Sequence, residues 1–255
     1  MSVPATHPLT AVLLDLDDAL VPWQTVAHWQ WAWRPRGPVL SERHVRASIR
    51  RQLHLWDRRR WRGLVGKEPS TDPTTYRSFL AELLAEIAGH ALPPAETSAV
   101  VERFLKPAHE VESFPDAAAL LKTLAERSVR VGVIAALPAE SAKLALRRAG
   151  LAESLLVTTD DDPGDRPPSV AGFRAAVERL SAKPRETLYV GDLFWSDVRA
   201  AGRAGLTSIL IDRHDMSPRV QGPRIHSLAE VPNLLDRPPV GPEATDPDGP
   251  ISGED

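Results

Sequence analysis

The residues of this sequence best suited to chemistry are carboxylates at the ends of apolar runs. The run Ala11–Asp15 (AVLLD) continues as Leu16-Asp17-Asp18-Ala19-Leu20. A later run, Thr187–Gly191 (TLYVG), is followed by Asp192, and Asp197 comes after Leu193-Phe194-Trp195-Ser196. Both runs are short, apolar and hardly alternating, as strands buried on both faces are. In an open parallel sheet, ligands bind beyond the carboxyl ends of the strands. Asp15 stands at such an end, and Asp17, two residues on, can face the same place from the turn. Asp192 and Asp197 extend the cluster from a second strand tip. Carboxylates so crowded are costly without a cation, and a hard all-oxygen site favours Mg²⁺. Mg²⁺ beside a carboxylate nucleophile suits phosphoryl transfer. The metal neutralises charge between carboxylate and phosphate, and a second carboxylate exchanges protons with the leaving oxygen.

The elements that position these residues follow from periodicity. Arg130–Ala135 (RVGVIA), Leu155–Thr158 (LLVT) and Thr207–Ile211 (TSILI) read as three further strands. From the second strand on, helical patterns separate them. Asp116–Arg127 places Ala117, Leu120, Leu121 and Leu124 on one stripe. Ala139–Ala149 stops before Gly150 and Asp197–Ala204 before Gly205, and a glycine just past a helix is a C-cap signal. Alternating strands and helices imply an α/β fold, a doubly wound parallel five-stranded sheet with helices on both faces. The stretch between Pro22 and Val111 breaks this rhythm. Thr75–Ala88 is amphipathic, with Tyr76, Phe79, Leu80, Leu83, Leu84 and Ile87 on one stripe, and Ala95–Leu105 and part of Gln24–Trp61 also read as helix. The expected organisation is an α/β core of residues 1–22 and 112–236, an inserted helical domain over 23–111, and a tail over 237–255. That tail is rich in Pro, Gly and acid and is expected to be disordered.

Taken together, DLDDAL, VGVIAAL, GDRPPSVAGF and VGDLFWSDVRAAGRAGLTSILID resemble the haloacid dehalogenase-like hydrolase superfamily, over about residues 9–22 and 112–236. The helical insert lies where many members carry a cap. The resemblance implies a strand order 5-4-1-2-3 and a phosphatase-type mechanism. Asp15 would attack phosphorus, and Asp17 would act as general acid and then general base. Mg²⁺ would be held by Asp15, Asp192 and the Asp17 backbone carbonyl, with Asp197 supporting it directly or through water. Members that are true dehalogenases lack the second aspartate, so Asp17 points to phosphoryl chemistry. The family's Lys-Pro motif appears here as Arg166-Pro167, which assigns Arg166 the catalytic cation, with Lys183 and Lys143 as alternatives. Arg keeps the charge but offers a planar fork instead of a compact ammonium.

Two further positions depart from the family pattern. Ala19 stands where Thr is usual, and Ala135-Ala136 where Ser or Thr, often followed by Asn, is usual. The second change removes a hydroxyl that would bond a phosphoryl oxygen and leaves only backbone N–H groups at that tip. Losing one such donor costs about 10²–10³ in rate. The sequence therefore supports a Mg²⁺-dependent hydrolase of a small phosphorylated metabolite. A weakened or inactive binding or regulatory protein on the same fold, and a phosphotransferase or mutase, remain as alternatives.

Composition narrows the classes. The 255 residues carry a net charge of −3 and contain no cysteine, which excludes a thiol nucleophile and thiolate metal sites. No apolar run has the roughly 18–20 residues of a membrane helix, so no membrane partner is expected and a cytoplasmic location is. The charge is uneven: residues 23–111 hold 14 Lys/Arg against 9 Asp/Glu, whereas residues 238–255 hold five acids and no base. Six of the seven Trp residues fall within Trp23–Trp61 among many Arg residues. That segment reads first as a helical unit with a Trp core and a solvated Arg face, and second as a lid for an anionic substrate. Nucleic acid is not an expected partner, and the oligomeric state stays open.

Overall fold

A computed structural model describes residues 8–22, 29, 32–34, 41–65, 73–105, 112–135, 139–159, 169–215, 217, 220, 222–236 and 238. The chain divides into two compact units, Met1–Pro22 with Val111–Asp255, and Trp23–Glu110.

The first unit is built on a parallel sheet. Its strands are β1 (Ala11–Asp15), β2 (Arg130–Ile134), β3 (Leu156–Thr158), β4 (Thr187–Gly191), β5 (Thr207–Ile211) and β6 (Arg224–Ile225), in the order β3-β2-β1-β4-β5-β6. The expected order is present, extended by one strand. β6 is only two residues long, too short to carry a periodic signal. β1 is central and wholly buried, which accounts for its unbroken apolar run. Asp15 pairs in register with Ile134 of β2, while Leu14 pairs with Val190 of β4. The tips of β1 and β4 are therefore adjacent.

Side chains alternate across the sheet. Val12, Leu14, Val133, Leu188, Val190, Ile209 and Ile211 belong to one buried cluster. Ala117, Leu120 and Leu124 of the helix Pro115–Glu126 complete it, on the spacing seen in the sequence. Elsewhere Phe173, from the helix Val170–Arg179, meets Tyr189 edge-on with ring centroids 4.7 Å apart. Gly150 and Gly205 both take positive φ (71° and 93°), as expected of residues that end helices.

One helix differs from expectation. Where an α-helix over Asp197–Ala204 was expected, the chain makes a π-helix, Phe194–Arg199, and only then a short α-helix, Ala200–Arg203. The Val198 N–H donates to the Leu193 carbonyl five residues back, at 3.1 Å. Single π-turns of this kind cluster at functional sites.

The second unit includes the helices Glu42–Val65, Pro73–Ala88 and Pro94–Leu105. The first packs on the second and the second on the third. Val45, Ile49 and Leu53 form the buried stripe of the first helix, and Phe79, Leu80, Leu83, Leu84 and Ile87 that of the second. Trp29 is buried and stacked on Phe104 with ring centroids 4.3 Å apart, and Trp56 lies 4.9 Å from Phe79. Arg59 pairs with Glu82 at 2.7 Å and Arg51 with Glu86, the two Arg side chains being exposed. These Trp side chains build the interior of the unit, and these Arg side chains face solvent. No helix among the described residues is long and apolar enough to cross a membrane. Apart from Pro238, the acidic tail lies outside the described residues.

Candidate active site

Three of the four expected carboxylates come together. Asp15 at the tip of β1, Asp192 just past β4, and Asp197 in the π-helix each place an oxygen within 4.8 Å of the others. Asp15 and Asp197 are buried. The Asp197 carboxylate is fixed from within its own loop, where the Leu193 N–H donates to its Oδ2 at 3.0 Å. The π-helix supplies this geometry by fitting an extra residue between Leu193 and Val198.

Asp17, the fourth, stands in the turn that follows β1. Its carbonyl accepts from the Ala19 N–H at 2.7 Å, and the Asp18 N–H donates to the Val21 carbonyl at 2.7 Å. Asp18 adopts φ 51°, a left-handed conformation that Asp tolerates better than most residues.

The electrostatics are those of crowded anions. Burial raises the Asp192 carboxyl well above the usual carboxylate range, and the charges of Asp197, Asp18, Asp15 and Asp17 raise it further. Asp18 is a contributor that sequence reasoning did not single out. Its signal was the third acid of Asp15-Leu16-Asp17-Asp18.

The donor set fits a hard divalent cation. Every donor is a carboxylate oxygen, the preferred partner of Mg²⁺. Ligands about 2.1 Å from one Mg²⁺ lie at most about 4.2 Å apart. A small contraction of the 4.8 Å trio would satisfy that limit.

The remaining candidates separate clearly. Arg166 lies outside the described residues. Lys183 precedes β4, at the end of the strand opposite Asp192, and is exposed and paired with Glu186 at 2.9 Å. Its position rules out the cation role. Lys143 is paired with Glu140 at 2.8 Å, and that hydrogen bond and charge hold its ammonium above its usual range. At the tip of β2, the Ala135 N–H already donates to the Thr158 carbonyl at 3.1 Å. That N–H, which the sequence left to serve a phosphoryl oxygen, is occupied by the sheet.

Residues 9–205 match the family described as haloacid dehalogenase-like hydrolase. The chain belongs to this family. Among haloacid dehalogenase-like hydrolases it is similar to a glyceraldehyde 3-phosphate phosphatase from Methanopyrus kandleri, 28% identical over 219 residues that cover 83% of this chain and 88% of the relative. It is also similar to a phosphoglycolate phosphatase from Rhodospirillum rubrum, 30% identical over 148 residues, or 58% of this chain and 54% of that one. In fold it is similar to the HAD-hydrolase YfnB from Bacillus subtilis, solved bound to magnesium, with TM-score 0.64 and 20% identity over 90% of this chain and 100% of that one. In this chain Asp15 ends β1 and Asp192 directly follows β4, at the carboxyl edge of the sheet.

Proposed function

We propose that this protein is a Mg²⁺-dependent phosphatase of small phosphomonoesters. One observation carries the reading: Asp15, Asp192 and Asp197, from two strand tips and a π-helix, converge within 4.8 Å. Two relatives named as phosphatases support it, since glyceraldehyde 3-phosphate and phosphoglycolate are both small phosphomonoesters.

Asp15, Asp192 and Asp197, with the Asp17 carbonyl, would hold Mg²⁺. Bound there, the ion would screen the carboxylates from the phosphate and polarise a phosphoryl oxygen. The chain's own residues do the rest. An Asp15 carboxylate oxygen attacks phosphorus as the ester P–O bond breaks, and Asp17 gives its proton to the leaving oxygen. Water then attacks the aspartyl-phosphate, and Asp17 takes that water's proton. The bond from Asp15 to phosphorus breaks, releasing inorganic phosphate and restoring both carboxyl groups. Arg166 is assigned the cation beside the phosphoryl group.

The test is phosphate release from glyceraldehyde 3-phosphate, phosphoglycolate and a panel of similar esters, with Mg²⁺ and with chelator. Release from at least one ester only with Mg²⁺ is expected. No release from any ester contradicts the proposal.

A second reading has its own observation. Ala135 has no hydroxyl and its N–H is bound to Thr158, so that residue gives the tip of β2 no donor for phosphate. This favours a ligand-binding protein of the same fold with little turnover. Such a protein would be stabilised against heat by phosphate esters without releasing phosphate.

A further inference from the structure

The turn bearing Asp17 is held by a residue outside the family motifs. Arg213 follows β5 by two positions, at the carboxyl edge of the sheet. Its Nη2 donates to the Ala19 carbonyl at 2.8 Å. Its two terminal nitrogens also bind the Asp116 carboxylate in fork geometry, each at 2.9 Å. The guanidinium carbon lies 4.0 Å from the centre of the Phe114 ring. Asp116 is itself fixed, with the Ser227 hydroxyl donating to it at 2.6 Å and the Leu228 N–H at 2.9 Å. The pair is largely out of water, with side-chain exposures of 9% for Arg213 and 17% for Asp116.

We propose that Arg213 is a positioning residue for Asp17, a proposal that rests on the phosphatase reading above. Ala19 is buried and its side chain carries no polar atom, so only its backbone can be tethered. Its N–H is bonded to the Asp17 carbonyl and its carbonyl to Arg213. Both peptide groups flanking residue 19 are thereby fixed, and with them the backbone of Asp17. The tether counters a turn that contains a non-glycine residue at positive φ. The fork on Asp116 keeps the guanidinium from following the turn if the turn moves. Lysine could not replace it, because a single ammonium cannot hold a carboxylate bidentately and a carbonyl in one plane.

The test compares Arg213→Met and Arg213→Lys with wild type and with Arg130→Met. Arg130 donates to Thr10 Oγ1 at 3.0 Å at the amino-terminal edge of the sheet, remote from the turn, and so controls for general destabilisation. Two quantities are read: amide exchange of residues 16–21 in metal-free protein, and kcat and KM with Mg²⁺. For Arg213→Met, exchange in residues 16–21 is expected to quicken by about tenfold through local opening. Its kcat is expected to fall by about 10²-fold, the effect of a misplacement near 1 Å, with little change in KM. Arg213→Lys falls between this variant and wild type, and serves alone if Arg213→Met does not fold. Arg130→Met loses thermal stability without either effect. Exchange or kcat left unchanged in both Arg213 variants overturns the proposal. If wild type releases no phosphate, the phosphatase reading fails, and exchange alone decides whether Arg213 holds the turn.

Discussion

The Asp197 carboxylate fills the space that a side chain at Gly191 would need. A Cβ at Gly191 would meet Asp197 Oδ2 at 2.7 Å, Asp197 Cβ at 2.8 Å and Tyr189 Cε1 at 2.7 Å. The last residue of β4 is therefore glycine so that the π-helix can fold its acid back over the strand tip. Gly191→Ala is expected to displace Asp197, lower stability by about 1–3 kcal/mol through overpacking, and lower kcat by about 10²-fold. Thermal unfolding and steady-state kinetics check both. Lowered stability with wild-type kcat would show that the position of Asp197 does not matter to the reaction.

Metal and charge make a paired prediction at Asp192. Burial and the charges of Asp197, Asp18, Asp15 and Asp17 all disfavour its ionised form. Metal-free Asp192→Asn is expected to be more stable than metal-free wild type, because one of the repelling charges is gone. With Mg²⁺ at a hundred times its Kd, wild type should gain about 2.7 kcal/mol, or about 5–10 °C in Tm. The variant should gain little. Differential scanning fluorimetry with and without chelator checks the crossing. Equal Mg²⁺ shifts in both proteins would remove Asp192 from the metal site.

Acid stability should report the Asp116–Arg213 pair. Burial raises the Asp116 carboxyl, but the hydrogen bonds from Arg213 and Ser227, the Arg213 charge and the Leu228 N–H outweigh it, so its net shift is below the usual 3.8. A carboxyl lowered on folding adds stability that is complete above its unfolded value. That stability is lost as pH falls from about 3.8 through the folded value. Removing one partner of a buried pair costs about 3 kcal/mol, so Asp116→Ala should lose about that much at neutral pH. The gap from wild type should narrow below about pH 4. Denaturant unfolding across pH 3–7 measures it, and a gap that does not narrow in acid would contradict this account of the pair.

How much of this was legible in the sequence depends on the range of the interaction. The five longer strands and the helix Pro115–Glu126 were visible because their apolar spacing is local. Asp15 and Asp192 were visible because one ends such a strand and the other directly follows one. The π-helix was not, because Phe194–Arg199 has no composition that separates five-residue from four-residue hydrogen bonding. Arg213 and Asp116 are 97 residues apart, and no local pattern links them. The occupied Ala135 N–H depended on where β3 pairs, which includes a register shift beside Ile134. Asp18 lies in the same acidic run as Asp15 and Asp17, but its charge on Asp192 needed the fold to bring β1 and β4 side by side.

Asp15→Asn tests most directly the proposal that Asp15 carries the phosphoryl group. Hydrolysis of p-nitrophenyl phosphate by wild type and variant is followed with saturating Mg²⁺, after circular dichroism shows that both are folded. Turnover by wild type is expected, with a fall of about 10⁴-fold or more in the variant, as when a covalent nucleophile is removed. Equal turnover by the two proteins would contradict it.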